Sequence, residues 1–172
     1  MKTKKGYKLF RIKNGKLFPL YVLADKEIPI GEWISAEEGP MDNGKVKAKH
    51  LGRLAYRPGF HLAEVPNAHW IGKRLPDGTL GMRPDTVWCE VEYPAEICYS
   101  AEARENGWKG GKWSAQRAYL KHIPVNGYYI YRTNSNGDAW PIAGAIRVLR
   151  ILSDEERIAI CKAVGVKPQR VA

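Results

Sequence analysis

Residues 86–94, TVWCEVEYP, decide the fold, because they alternate with the two-residue period of a β-strand. One face of this strand carries Val87, Cys89, Val91 and Tyr93, and the other carries Trp88, Glu90 and Glu92. It is the clearest strand in the chain, and we expect its apolar face to line the core.

Further strands are predicted on both sides of this segment. Near the N-terminus, Asn14-Gly15 joins YKLFRI to KLFPLYVL, and this dipeptide favours the type I′ turn of a β-hairpin because both central residues need positive φ. The remaining strand candidates are GEWIS, GRLAYR before the Pro58-Gly59 turn, GYYIYRTN and WPIAGAIRVLRIL.

Helices are predicted at three places. PNAHWIGKR can form a short helix with Pro66 in its first turn, and SAQRAYLKHI reads as a helix that Pro124 ends. The last helix has a capping box, in which Ser153 is followed three residues later by Glu156. Its predicted apolar stripe consists of Ile158, Cys161 and Val164.

Length and pattern together predict one α+β domain over residues 1–172, with a mainly antiparallel sheet and two or three short helices. The 172 residues, of which 44% are hydrophobic, are enough for a single core. Strands outnumber helices and no regular βαβ alternation occurs, which argues against a parallel sheet.

Several features predict a cytoplasmic protein with no membrane contact. No apolar run approaches the ~18 residues of a membrane span, and the basic N-terminus is not followed by the apolar region of a signal peptide. The cysteines, Cys89, Cys98 and Cys161, are odd in number and contain no CxxC pair, so we expect reduced thiols.

The charge balance points to a polyanionic partner. The chain has 28 Lys and Arg residues against 18 Asp and Glu, a formal net charge of +10, and such a balance attracts nucleic acid. The first sixteen residues contribute seven of the cations and no acid. Alternatively, the lysines of this hairpin have no binding role and only keep the edge of a sheet solvated and resistant to aggregation.

A segment without carboxylates, residues 106–137, combines cations with interleaved aromatic residues. Cations neutralise phosphates, and aromatic rings stack bases at ~1–3 kcal/mol each. The predicted nucleic-acid contacts are Lys109, Lys112, Trp113, Arg117, Lys121, Tyr129, Tyr131 and Arg132. Alternatively the aromatic residues belong to the core. Strand alternation then leaves one or two tyrosines on an outer or cleft face, unless the sheet is covered on both sides.

Catalytic candidates are few. The chain contains no phosphate-binding loop, nucleophile elbow or zinc motif, and no metal site is predicted. Arg57 and His61 lie four residues apart across the Pro-Gly turn, and with Lys121 they can form a metal-independent phosphodiesterase site. The alternative is a structural histidine that donates to a backbone carbonyl.

Four stretches together resemble an uncharacterised domain of large polyvalent proteins from phages and conjugative elements. They are YKLFRIKNGKLFPLYVLADKEIPIGEWISAEEGP, LGRLAYRPGFHLAEVP, PDTVWCEVEY and YLKHIPVNGYY…WPIAGAIRVLRILSDEE. The resemblance implies a mobile-element protein that acts in the bacterial cytoplasm, in host takeover or counter-defence, with a host defence protein as a further partner.

GFHLAEVPNAHWIG is similar to a motif of ADP-ribosyltransferase-like domains, in which a strand and an aromatic-His step precede an alanine-containing helix. This similarity implies NAD as cofactor. Such enzymes also use a glutamate late in the chain, whereas the late strand here, GDAWPIAGAI, has Asp138 nearby and no glutamate.

Three functions are therefore predicted, in order of preference. The first is a nucleic-acid-binding accessory or counter-defence protein without a cofactor. It is preferred because cationic and aromatic residues are spread along the chain, whereas candidate catalytic residues are few. The second is an NAD-using ADP-ribosyltransferase-like enzyme. The third is a metal-independent ribonuclease.

Overall fold

The structure is a computed structural model of the chain. It describes residues 1–20, 23–38, 45–48, 52–55, 57–69, 71–107, 118–132 and 138–172, with the backbone alone for 45–48 and 52–55. The strands are β1 (Thr3–Lys13), β2 (Lys16–Phe18), β3 (Trp33–Ser35), β4 (Lys45–Ala48), β5 (Gly52–Ala55), β6 (Phe60–His61), β7 (Lys73–Arg74), β8 (Leu80–Gly81), β9 (Thr86–Pro94), β10 (Ile97–Cys98), β11 (Gly127–Arg132), β12 (Ala139–Ala143) and β13 (Ala145–Ile151). The helices are α1 (Ser100–Asn106) and α2 (Asp154–Ala163).

The TVWCEVEYP segment forms β9, the middle strand of a five-stranded antiparallel sheet with the order β2-β1-β9-β13-β3. The predicted N-terminal hairpin is confirmed. Asn14 and Gly15 have φ angles of 52° and 74°, as a type I′ turn requires. The alternation of β9 is confirmed as well, although Trp88 on its second face is also buried, at 1% exposure.

A second sheet has the order β10-β11-β12-β6, with a parallel β10–β11 pair and antiparallel pairs elsewhere. The predicted single strand WPIAGAIRVLRIL is wrong, because the chain leaves the second sheet at Gly144 and continues as β13 in the first. A Cβ at Gly144 would lie 2.3 Å from the Pro124 carbonyl oxygen, so only glycine fits this crossing.

The main core lies between these two sheets. Tyr7 and Ala63 exchange backbone hydrogen bonds of 2.8 and 2.7 Å, which link β1 to the chain just after β6. The largest fully buried side chains of this core are Phe10, Phe60, Ile28, Leu62, Ile146, Val91 and Val148. The fold is α+β with mainly antiparallel sheets, as predicted.

The C-terminal helix is confirmed, and its cap forms as predicted. The Glu156 amide donates to Ser153 Oγ and the Ser153 amide donates to Glu156 Oε1, each at 3.1 Å. The predicted stripe is only partly right: Cys161 is buried, but Val164 is 60% exposed and Arg157 is buried instead. No helix in the described ranges is long and apolar enough to span a bilayer.

The two other predicted helices do not form where the structure describes them. No helix begins at Pro66. The side chain of the next residue, Asn67, accepts a hydrogen bond from the Gln169 amide at 3.0 Å, so a tertiary contact takes the place of a helical turn. The described part of SAQRAYLKHI is not helical either: Ala118 and Leu120 are buried and Tyr119 between them is not. The short helix α1 was not predicted.

Candidate functional site

The basic N-terminal strand does not present free positive charge on the face that carries Glu90 and Glu92. Lys5 Nζ lies 3.7 Å from Glu90, and Arg147 Nε donates to Glu92 at 3.1 Å. Arg150 pairs with both Glu90 and Glu156. We call this outer surface of β1, β9 and β13 the paired face, because its cations are matched by carboxylates on neighbouring elements.

Lys8, on the same strand, is buried in the core at 4% exposure. Its ammonium group donates to the His61 carbonyl at 3.0 Å and lies 5.6 and 5.7 Å from the ring centroids of Phe10 and Phe60. Burial lowers the pKa of Lys8 from 10.5 to about 7. The lysines of β1 thus have different environments: Lys5 pairs with a carboxylate, Lys8 is in the core, and Lys4 donates to the Tyr128 hydroxyl at 2.9 Å.

The stretch from Arg57 to His61 forms a tight corner. Gly59 has a φ of +126°, and a Cβ there would lie 2.8 Å from Ile142 Cγ2. His61 Nε2 lies 3.2 Å from the Arg57 carbonyl, so the histidine binds its own turn, as the structural alternative predicted. Burial and the charge of Lys8 lower the pKa of His61 to about 3, so the ring is neutral and a weak base.

Arg57 joins this corner to the carboxylate-free segment. Its guanidinium Cζ lies 3.9 Å from the centre of the Tyr131 ring, and its Nε donates to the Ala118 carbonyl at 3.2 Å. This is a close cation–π contact, and it covers one face of the half-buried Tyr131. Two predicted site residues that are far apart in sequence are therefore in contact.

The remaining predicted contacts divide into three groups. Tyr129 is fully buried against α1 and the 118–120 segment, so its ring is not available for stacking in this conformation. Lys121 is exposed and Arg132 is half-buried. Lys109, Lys112, Trp113 and Arg117 lie outside the described residues. Both faces of the second sheet are covered near Tyr128 and Tyr129, which explains why neither tyrosine is exposed.

A cleft of about 670 Å³ lies between the β7–β8 hairpin and the C-terminal segment, and sequence reasoning missed it. The polar residues that line it are His69, Arg74, Asp77, Thr79, Lys167, Gln169 and Arg170. We call it the cationic cleft. Its two walls are about ninety residues apart in the chain, so no local pattern reveals it.

The hairpin wall is held by a turn at Asp77. This carboxylate accepts from the Thr79 amide at 3.0 Å and from the Thr79 hydroxyl at 2.6 Å, and it also pairs with Arg170. Thr79, together with Arg170, lowers the pKa of Asp77. Arg74 Nη1 donates to the Gly78 carbonyl at 2.9 Å, which places its guanidinium on the cleft wall.

The second wall is anchored by Gln169, a buried residue at 8% exposure. Its Nε2 donates to the carbonyls of Ile71 and Leu80 at 3.0 and 3.1 Å, and its Oε1 accepts from the Ala68 amide at 3.2 Å. All polar atoms of this side chain are used for positioning. The backbone on either side of Gln169, at Lys167 and Arg170, is therefore held against the hairpin, and the Arg170 carbonyl accepts from the Met82 amide at 2.8 Å.

The cleft has an excess of positive charge. Among the described residues that line it, Arg74, Lys167 and Arg170 face one carboxylate, Asp77, which Arg170 already contacts. In the part of the chain that the structure describes, Lys167 forms no ion pair within 4.0 Å. A concave surface with more cations than carboxylates focuses positive potential, which attracts anions.

Within the described ranges, no group of three or more His, Cys, Asp and Glu side chains could hold a metal ion. Compared with known proteins, the chain matches no family model, and no curated protein and no solved structure is significantly similar to it.

Proposed function

We propose that the chain is a nucleic-acid-binding protein whose phosphate contacts lie in the cationic cleft. The single observation that carries this proposal is the charge of the cleft, where Arg74, Lys167 and Arg170 face Asp77 as the one carboxylate among the described lining residues. Arg binds phosphate through two parallel hydrogen bonds, and Lys binds it as a point charge.

A second contact region is proposed beside Tyr131. Arg57 lies on this ring at 3.9 Å, Lys121 is exposed, and Arg132 follows at the end of β11. The predicted cations at Lys109, Lys112 and Arg117 belong to the same stretch of sequence. A strand that extends from the cleft to this region would add electrostatic affinity without base specificity.

The proposed setting comes from the sequence resemblance: an accessory or counter-defence protein of a mobile element, in the cytoplasm of a bacterial host. The enzymatic alternatives gain no support from His61, because its neutral ring binds its own turn and its pKa of about 3 makes it a poor base at neutral pH. The expected helix after GFHLAEVP, which the transferase similarity requires, does not form in the described residues.

The test is a titration of fluorescent 20-mer RNA and DNA at several salt concentrations. The wild type is compared with the double variant Arg74→Ala/Lys167→Ala. We expect weaker binding by the variant, by about tenfold at low salt, and a salt slope smaller by about two, since each phosphate contact contributes about one.

The matched control is Lys5→Ala/Arg147→Ala, which removes two cations from the paired face and gives the same change in net charge. We expect its affinity to stay within about twofold of the wild type. If both double variants lose affinity equally, overall charge and not the cleft binds nucleic acid, and the proposed site is wrong.

A further inference from the structure

His69 is held in the cleft wall by a contact on one face of its ring. Asn67 Nδ2 lies 3.3 Å from His69 Nδ1 and 3.2 Å from Nε2. An atom this close to both ring nitrogens lies over the imidazole, because a position in the ring plane would overlap the carbon between them. The amide of Asn67 thus supports the ring face from below.

Asn67 is itself immobilised. It is 2% exposed, and its Oδ1 accepts from the Gln169 amide at 3.0 Å. The same Gln169 fixes both walls of the cleft, so the imidazole, the hairpin and the C-terminal segment form one hydrogen-bonded unit. His69 is exposed and lines the cleft, so its ring is accessible to a ligand there.

The size of the cleft limits what reaches that ring. A volume of about 670 Å³ is in the range of small-ligand pockets and is far smaller than a double helix. In a duplex the base faces are hidden by stacking, whereas an unpaired base can stack on an aromatic side chain, including histidine. Leu80 and Pro168 add apolar wall beside the ring.

We infer that the cationic cleft takes one unpaired nucleotide, with its base stacked on the His69 ring and its phosphate bound by Arg74 and Lys167. This inference rests on the proposed function and names its substrate class: single-stranded nucleic acid or an unpaired position in a folded one. Sequence readout is weak, because every base has a face that can stack.

The experiment compares four probes of equal length by fluorescence anisotropy: single-stranded RNA, single-stranded DNA, an abasic DNA strand and a blunt duplex. The variants are His69→Ala and His69→Phe, and His122→Ala is the matched control, since His122 is also exposed and pairs with Glu102. We expect His69→Ala to weaken binding of both base-containing single strands by about tenfold.

The other results expected are specific to stacking. His69→Phe restores single-strand affinity to within about threefold of the wild type, His122→Ala has no effect, and affinities for the duplex and abasic strand do not change in His69→Ala. Equal losses on all four probes, or no loss on any, overturn the stacked base. If binding in that case still depends on Arg74 and Lys167, the proposed function is supported although the stacked base is wrong.

Two further outcomes separate the claims. If no probe binds, the proposed function falls together with this inference. If polyglutamate competes as well as RNA, the cleft serves an acidic protein, and both are wrong. Should His69→Ala fold poorly, diethyl pyrocarbonate labelling of the wild type gives a second measurement. RNA should protect His69 while the duplex does not, and a His69 that RNA leaves unprotected overturns the inference.

Discussion

The paired face and the cationic cleft each contain three cationic side chains, yet only the cleft has the electrostatics of an anion site. On the paired face, Lys5, Arg147 and Arg150 meet Glu90, Glu92 and Glu156 on adjacent elements. In the cleft, the described lining residues comprise three cations and one carboxylate, Asp77. A net charge of +10 therefore does not locate the binding surface, because cross-strand pairing cancels charge on the sheet.

The pairs on the paired face contribute little to stability. Their side chains are partly exposed, and such pairs are typically worth ~0–1 kcal/mol each. Their main effect is on the field outside the sheet, where opposite charges about 3 Å apart cancel beyond a Debye length of ~10 Å. The location of the carboxylates, more than that of the cations, therefore determines where positive potential remains on these two surfaces.

The largest effect is expected at Lys8, a buried cation of β1 for which no ion pair is found among the described residues. Its pKa is lowered to about 7, so the folded state holds fewer protons than the unfolded state between about pH 7 and 10.5, and stability rises with pH in that window. We expect Lys8→Met to stabilise the fold at pH 7 by on the order of 2 kcal/mol, after loss of the hydrogen bond to the His61 carbonyl.

The measurement is urea denaturation from pH 7 to 9. Because burial raises the pKa of Cys89 to about 12, the folded state keeps this proton while the unfolded thiol loses it near its ordinary pKa, which lowers stability toward pH 9 equally in wild type and variant, so the difference between the two reports Lys8. The wild type should gain stability across the range, and the variant should lose this dependence. A Lys5→Met control should keep the wild-type slope. The prediction is contradicted if the variant is less stable than the wild type at pH 7 and its stability depends on pH as that of the wild type does. Lys8 would then be charged in the fold, and its contacts would offset the cost of burying the charge.

Local signals predicted the sheet, while long-range contacts determined what sequence reasoning missed. The alternation of TVWCEVEYP and the Asn14-Gly15 turn are properties of adjacent residues, and both are confirmed. The helix at Pro66 was wrong because the partner of Asn67 lies 102 residues away. The apolar run around Gly144 reads as one strand, and only the approach of Pro124 shows that it divides.

The candidate site shows the same division. Arg57 and His61 were predicted as a site from their spacing, and the structure brings them to one corner, with Tyr131 on the guanidinium. The cleft was missed because its walls meet through Asp77 and Arg170, which are 93 residues apart. A turn at Asp77 was predictable from Pro-Asp-Gly, but the cations opposite it were not.

A smaller effect is expected from Asp77→Asn, which removes the only carboxylate among the described residues that line the cleft. Asn keeps an oxygen that can accept from the Thr79 amide, so the turn is preserved. Without the repulsive charge we expect RNA affinity to rise about threefold at low salt, an effect that falls as salt is raised. Anisotropy titrations at two salt concentrations measure it.

Glu37→Gln is the matched control for this prediction, because Glu37 is an exposed carboxylate that pairs with Lys26 outside the cleft. It changes the net charge equally and should leave affinity within error. An equal gain in both variants would show that RNA responds to total charge, and the contrast between the paired face and the cleft would lose its meaning for binding.

The smallest effect, and the most direct test of the comparison, is expected from Glu90→Gln/Glu92→Gln. These changes leave Lys5, Arg147 and Arg150 without their carboxylates on β9. The paired face should then become a second, weak polyanion surface. We expect about a twofold gain in RNA affinity and a salt slope that is steeper by about one to two.

The gain should persist when Arg74→Ala/Lys167→Ala is added, because the new contacts are on the sheet and not in the cleft. It should be equal for single strands and duplex, because the added contacts are to phosphates. Titrations of both probes at three salt concentrations measure this. If the RNA affinity and its salt dependence do not change, a flat array of cations is not sufficient to bind nucleic acid. The concave shape of the cleft, in addition to its missing carboxylates, would then be what binds the phosphates.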